Sequence, residues 1–318
     1  MKSLKNIPIL VSGGAGFLGS FLVKRLVKEK AKVFVLAKKK TSKNRLKDIL
    51  SQIQILEGDL TDENSIYKAI KKAKPHYIFN VAGLRRVERT LGALEPNLEA
   101  NLNGVLYFFK AINKLKIPLK GFVQTGTLDE YGSAQVPFKE NLREMPMSPY
   151  SASKLSATHF CQMLYRSLNF PITVLRPCLM YGPGQDKDMF IPSLIESCLK
   201  NQNFPMTLGE QTRDFGFVTD VVDAYVKVLY SPKVFGEVIN ISTGKEVRIK
   251  DLAKKILKIT GSKTKILFGK LPPRTGEVER MAGDFTKAKR MLKWSPTTKL
   301  EDGLIKTVQW YSSQKKIN

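Results

Sequence analysis

Two histidines, His76 and His159, and three cysteines, Cys161, Cys178 and Cys198, are scattered through the 318 residues without the close spacing that metal ligands need. No metal site is expected. An odd number of thiols also argues against a disulfide framework and suits a reducing compartment. Long apolar runs are missing too: none is long enough for a transmembrane helix, so no membrane insertion is expected. Lys2 and Lys5 before "IPILVSGGAGFLGSFLV" mimic a secretion signal, but the glycines inside that run make this the weaker reading, and a cytoplasmic protein is expected. Acidic residues are scarce, 28 Asp+Glu against 53 Lys+Arg, which gives a net charge of +25. Such a surface attracts polyanions or small anions, or reflects a lysine-rich coding bias. The lysines are spread along the chain rather than gathered in one arm, so nucleic acid is not the expected partner.

What is present is periodic. Short β-branched runs alternate with helical patterns: "IPILVSG", "FLGSFLVKRLVKE", "AKVFVLA", "IQILEGDL", then a helix near Asp62–Ala73 and "HYIFNVAG". A long helix around Asn97–Leu115, the strand "LKGFVQTG", a helix from Pro149 and the strand "PITVLRP" follow. This alternation predicts an α/β fold, a Rossmann doubly wound parallel sheet. Beyond residue 176 proline and glycine multiply and helices shorten, which predicts a smaller C-terminal α/β substrate-binding domain. The expected division is residues 1–175 and 176–318, with a segment near 213–242 returning to the first.

"VSGGAGFLGS" sets Gly13, Gly16 and Gly19 three residues apart between a strand and a helix beginning near Phe17. Glycines permit the tight turn and the close backbone approach that a dinucleotide pyrophosphate needs, and the helix aims its positive end at that charge. Phe17 and Leu18 lie inside this candidate cofactor loop, and Ala82 of "NVAG" joins it. In "GDL", Asp59 and Leu60 either place a carboxylate near an adenine amino group or simply start a helix.

The second strand, "VFVLAKKK", is informative for what it lacks. An NAD site normally offers Asp or Glu to the ribose hydroxyls about 20 residues after the fingerprint. Here that place holds Ala37, followed by Lys38, Lys39 and Lys40. Loss of the carboxylate removes repulsion and the ammonium groups attract a 2′-phosphate, so NADP(H) is favoured over NAD(H).

"SPYSASK" places Tyr150 and Lys154 four apart, with Ser148 suited to an N-cap and Pro149 to the first helical position. A phenol is a poor acid or base at neutral pH unless tuned, and an ammonium one turn away favours its phenolate. The same ammonium can hold the nicotinamide ribose.

With "GGAGFLG", "GDL", "NVAG", "PYSASK", "RPCLMYGPGQ", "GEQTRDFGFVTDV" and "PPRTGEVER" in view, the chain resembles the extended short-chain dehydrogenase/reductases, the NAD(P)-dependent epimerase/dehydratase group acting on nucleotide sugars. The likeness covers nearly the whole length. It implies Tyr150 as general acid/base, Lys154 as its tuner and Thr127 as a hydrogen-bonding partner of the reacting sugar oxygen. Asn101 matches an asparagine that supports the lysine and its water, or is a helix-surface amide. Arg213 and Arg274 match arginines that clamp the nucleotide pyrophosphate, a task suited to guanidinium forks. Arg85, with Arg86, faces either the substrate or solvent. A homodimer through the helices of Asn101 and Tyr150 is implied as well.

Departures from the family pattern separate the reactions. Dehydratases of this group carry Thr-Asp-Glu where this chain has Thr127-Leu128-Asp129, and leucine exchanges no proton. Leu179 stands where many epimerases have Asn. Together with Ala37, these departures lead to an NADPH-dependent reduction of the 4-keto group of a nucleotide-linked (6-deoxy)hexulose for surface polysaccharide synthesis, as in CDP-abequose synthase-type reductases. An NAD-dependent 4-epimerase is the alternative. A 4,6-dehydratase and a non-catalytic cofactor-sensing or RNA-binding protein are weaker readings.

Overall fold

The computed structural model describes residues 3–273 and 275–315. Its first half runs β1 (Pro8–Ser12), α1 (Phe17–Lys28), β2 (Lys32–Ala37), a 3-10 segment Asn44–Gln52, β3 (Ile53–Glu57), α2 (Glu63–Ala73) and β4 (Tyr77–Asn80). Then come α3 (Leu94–Leu98), a π-helical turn Glu99–Asn103, α4 (Gly104–Lys114), β5 (Gly121–Thr125), α5 (Pro149–Leu168) and β6 (Ile172–Pro177). The rest contains β7 (Leu179–Tyr181), α6 (Phe190–Leu199), β8 (Phe204–Pro205), β9 (Thr212–Arg213), β10 (Phe215–Phe217), α7 (Val218–Val228) and β11 (Val238–Ile241). It closes with β12 (Val247–Arg248), α8 (Ile249–Thr260), β13 (Ile266–Leu267), α9 (Thr286–Leu292) and α10 (Leu300–Lys315).

Seven strands pair in parallel in the order β11-β6-β5-β4-β1-β2-β3. Strand order reverses between β1 and β4, which opens a crevice at their C-terminal ends, the usual ligand position in such sheets. Both faces are covered, so the strands read as continuous apolar runs. Val33, Phe34, Val35, Leu36 and Ala37 of β2 are all buried, each large side chain contributing about 1.5–3 kcal/mol.

One face is packed by α1, α7 and the 3-10 segment, through Leu22, Leu46 and Val221. The other is packed by α2, α4 and α5, through Ile66, Phe108 and Ala157. The chain after β6 divides: α7, β11 and α9 return to the sheet, while α6, α8 and α10 gather around Leu194, Leu252 and Leu304.

The expected helix around Asn97–Leu115 begins earlier and is not one regular helix. Its middle widens into the π turn, and the buried amides of Asn97 in α3 and Asn101 in the turn grip the loop after β4. π turns of this kind cluster at functional sites.

Candidate active site

Gly13 has φ +65°, and a Cβ there would lie 2.9 Å from the Ala82 backbone. At Gly19 a Cβ would lie 2.1 Å from the Gly13 carbonyl oxygen, so helix and turn approach only without side chains. Gly16 caps α1 without a side-chain bond, and no acid stands in the first turn. The helix therefore presents open N–H groups and an unopposed positive end, a fit for a pyrophosphate. Leu18 is buried and Phe17 packs edge-on against Phe21, so these two residues serve the loop through their backbones. Leu60 is likewise buried, under Gly104.

Beyond β2 a cavity of about 360 Å³ is lined by Lys38, Lys39, Glu57, Gly58, Asp59, Asp62, Ser65 and Lys68. Ala37 ends β2 beside it, and Glu57 is its neighbour on β3. Lys38 forms an ion pair with Asp59 at 2.7 Å. Burial works against the Asp59 charge, but Lys38 and the Thr61 N–H hold the carboxyl below its ordinary value. The cap of α2 is Asp62, which accepts from Asn64 and Ser65, so Asp59 is not the helix start.

The catalytic end is built by the loop after β5 and the start of α5. Ser148 caps α5 by accepting from the Ser151 N–H at 3.1 Å, and Pro149 takes the first position. Tyr150 and Lys154 then share one face. Lys154 is 4% exposed, and burial pushes its ammonium down to about 8 against the attraction of Glu130. Burial likewise pushes the Tyr150 phenol well up, assisted by the charge of Asp129; Arg85 pulls it the other way. The net direction is opposite to the tuning expected from a neighbouring ammonium: burial dominates, and the cation that pulls the phenol down is Arg85, not Lys154.

Thr127 caps the short 3-10 turn Leu128–Tyr131 and stands within hydrogen-bonding reach of the phenol. Its Oγ1 donates to Asp129 Oδ2 at 2.8 Å and accepts the Asp129 N–H at 3.2 Å. Asn101 is buried. Its Oδ1 accepts the Leu84 N–H at 2.8 Å, and its Nδ2 donates to the Leu84 carbonyl at 2.9 Å and to Ser153 Oγ at 3.0 Å. Asn101 thus fixes the loop after β4 against α5. The spot a Cβ on Gly83 would take is 2.9 Å from its Oδ1 and 3.7 Å from Lys154 Nζ, so the amide and the ammonium flank one glycine.

Of the three arginines proposed for substrate, Arg85 is exposed near Tyr150 and touches the Met189 sulfur. Arg213, on β9, donates to the Thr212 carbonyl at 2.8 Å and to Glu277 at 3.1 Å. Arg274 lies outside the described residues.

Sequence reasoning missed the support beneath the loop. Glu130, wholly buried, accepts the Thr127 N–H at 2.9 Å, the Thr158 hydroxyl at 2.8 Å and Arg176 Nε at 2.7 Å. Arg176, also buried, reaches Glu144 at 2.8 Å and lies 4.5 Å from the Tyr131 ring centroid. Burial disfavours its charge, yet Glu130 holds the guanidinium firmly protonated. A Cβ on Gly126 would lie 2.5 Å from Glu130 Oε1, so the glycine before Thr127 makes room for this carboxylate. Among the described residues no cluster fit for a metal occurs, the three cysteines are free and buried, and no helix is long and apolar enough to cross a membrane.

A family model described as GDP-mannose 4,6 dehydratase matches residues 10–307. The chain is 30% identical over 323 residues to the uncharacterized UDP-glucose epimerase YtcB of Bacillus subtilis, spanning 96% of this chain and 98% of that one. It is 29% identical over 323 residues to a probable dTDP-glucose 4,6-dehydratase of Sinorhizobium fredii, spanning 95% and 92%. Among solved structures, the UDP-glucose 4-epimerase of Thermotoga maritima with UDP-glucose matches at TM-score 0.88 and 29% identity, covering 98% of this chain and 99% of that one. The dTDP-glucose 4,6-dehydratase of Bacillus anthracis in complex with NAD matches at 0.87 and 28%, covering 98% of each.

Proposed function

This chain belongs to the epimerase/dehydratase family of extended short-chain dehydrogenase/reductases acting on nucleotide sugars, and from that premise we propose that it reduces the 4-keto group of a nucleotide-linked hexulose with NADPH. The observation that carries the cofactor preference is the end of β2. A buried Ala37 replaces the ribose-binding acid, and Lys38 and Lys39 line the adjoining cavity. The glycine turn and the open end of α1 would hold the pyrophosphate, and the bound nicotinamide supplies a hydride. Everything else falls to side chains of this chain. Tyr150, kept protonated by its surroundings, gives its proton to the developing sugar alkoxide, as a reductase requires. Thr127 fixes that oxygen, and Lys154 holds the cofactor ribose. Arg213 and Arg274 are the proposed holders of the substrate pyrophosphate, and Arg85 faces the sugar.

The residues gathered around α6, α8 and α10 are the proposed substrate-binding portion of 176–318. A homodimer through α4 and α5 and a cytoplasmic location, serving surface polysaccharide synthesis, belong to the same reading. A 4-epimerase retaining NAD is the second reading. It is favoured by the Lys38–Asp59 pair, which occupies one of the cations, and by the epimerases among the relatives. The double variant Ala37→Asp, Lys38→Ala separates them: a reductase built for NADPH should shift roughly ten- to hundredfold toward NADH, the effect of one or two charge-assisted contacts. An unchanged preference would leave the lysines as a plain surface loop.

A further inference from the structure

We propose that Arg45 straps the cofactor end of the cleft to the loop entering the substrate portion, so that each ligand binds more tightly when the other is present. The coupling rests on the reading that the cavity beyond β2 takes the cofactor and residues 176–318 take the nucleotide sugar. Arg45 lies at the start of the 3-10 segment Asn44–Gln52, whose Leu46 is wholly buried against α1. Its guanidinium reaches partners 139 and 141 residues further along the chain. Nε donates to the Gly184 carbonyl at 3.0 Å, and Nη2 pairs with Asp186 at 2.6 Å. A guanidinium fork serves a carbonyl and a carboxylate at once, in a fixed geometry that an ammonium lacks.

Each end of the strap is tied to a site. On the cofactor side, the stretch from Lys38 to Arg45 is drawn into turns: the Thr41 N–H donates to the Lys38 carbonyl at 3.0 Å, and Lys43 Nζ to the Lys39 carbonyl at 2.8 Å. Lys38 and Lys39 line the cavity, so an anion held by them also fixes the stretch that carries Arg45. On the substrate side, residues 182–189 lead from β7 to α6. Gly184 has φ +73°, and the Trp310 ring of α10 lies 3.5 Å from where its Cβ would be. The Gln185 carbonyl accepts from the Tyr311 hydroxyl, and Gln185 Nε2 donates to the Met180 carbonyl at 2.7 Å. The loop ends at Met189, whose sulfur touches Arg85 beside Tyr150. Lys187 is taken by Glu196 at 2.6 Å, which leaves Asp186 to Arg45. Trp310, Tyr311 and Met180 hold the loop from its own half, whereas Arg45 holds it from the segment behind β2. The Arg45 and Asp186 side chains are 31% and 61% exposed, so their pair adds little to folding. Its effect is on linkage: a ligand that fixes one loop lowers the cost of placing the other, and the reverse holds by the same factor. Arg45 is thus a positioning residue that acts through two loops.

The test reads binding rather than turnover. Protein stripped of nucleotide is titrated with NADPH by calorimetry, alone and with saturating CDP, GDP, dTDP or UDP, whichever raises the wild-type Tm most. Wild type should bind NADPH about 5- to 20-fold tighter with the diphosphate present, and NADPH should tighten the diphosphate by the same factor. Arg45→Ala should cut that factor below about twofold, while each ligand alone binds within about threefold of wild type. Loss of folding, or damage to one site, would not give that pattern. Asp186→Asn keeps the Gly184 bond and should fall between the two, and the double variant should match Arg45→Ala. Wild type without coupling, Arg45→Ala with wild-type coupling, or losses that add in the double variant would each overturn the strap. So would an Arg45→Ala variant that binds NADPH poorly on its own with its coupling intact, which would place Arg45 in the cofactor site alone. Tighter binding of NADH than NADPH fails the cofactor preference instead, and the coupling is then read with NADH. Binding of none of the four diphosphates fails the substrate reading, and the strap falls with it.

Discussion

Lys38 and Asp59 meet at 2.7 Å at the mouth of the cavity beyond β2, and Arg176 and Glu130 meet at 2.7 Å beneath the loop after β5. The lengths are the same and the settings are not. The first pair has side chains 63% and 34% exposed, the second 1% and 0%. Water screens the first, so it stabilises little and is free to be rearranged by an incoming anion. The second lies where a charge left alone is very costly, so both partners are locked and whatever they hold is locked too. The cofactor end of the cleft is thus adjustable, and the catalytic end is fixed. That division suits an enzyme whose cofactor comes and goes while its acid must stay placed.

The difference between the two ends can be broken by substitution. Tyr150→Phe removes the proposed acid at the fixed end and should lower kcat roughly a hundred- to ten-thousandfold with cofactor binding retained, measured by NADPH oxidation and fluorescence titration. Arg176→Met leaves Glu130 buried without its partner. It should cost about 3–5 kcal/mol in urea unfolding, with a companion loss of activity as Thr127 loosens. If it proves neutral, the buried pair does not fix the loop.

A pH series sharpens the contrast further. Lys154 loses its proton near pH 8 when folded, but only in its ordinary, higher range when unfolded. Across that window the unfolded chain binds more protons, so stability from this residue rises with pH and is least below about pH 8. Comparing wild type with Lys154→Met at pH 7 and pH 10 should show a wild-type gain of about 1–3 kcal/mol that the variant lacks. An identical pH response in both would place Lys154 in a wetter setting than its burial indicates. The smallest effect is expected at the open end, where Lys38→Ala should change unfolding free energy by less than about 1 kcal/mol. A larger loss there would erase the distinction between the ends.

How far each end was legible in the sequence follows from the same physics. The cofactor end depends on backbone: Gly13 at positive φ and Gly19 against the Gly13 carbonyl are demands that only one residue type meets, so spacing alone revealed them. The capping of α5 was readable for a similar reason, because Ser148 and Pro149 act within one turn of Tyr150. The support of Thr127 was only half readable. Thr127 and Glu130 have the T-x-x-E spacing of a capping box, but Arg176, which locks that glutamate, is 46 residues away and arrives only when the sheet brings β6 beneath the turn. Asn101 was reached only through the resemblance, with a surface amide as the alternative, since the π turn that carries it leaves no periodic signature. Nor did the lysines after β2 announce that Lys38 pairs with Asp59, a contact between neighbouring strand ends.

The most direct test of the reductase reading is a stoichiometry. Purified protein stripped of nucleotide is mixed with NADPH and a nucleotide-linked 4-keto-6-deoxyhexose, and cofactor oxidation is counted against sugar reduced. A reductase oxidises one NADPH per sugar and turns over repeatedly, faster than with NADH. Tightly bound NAD in the purified protein, with sugars interconverted at C4 and no NADPH consumed, would contradict it.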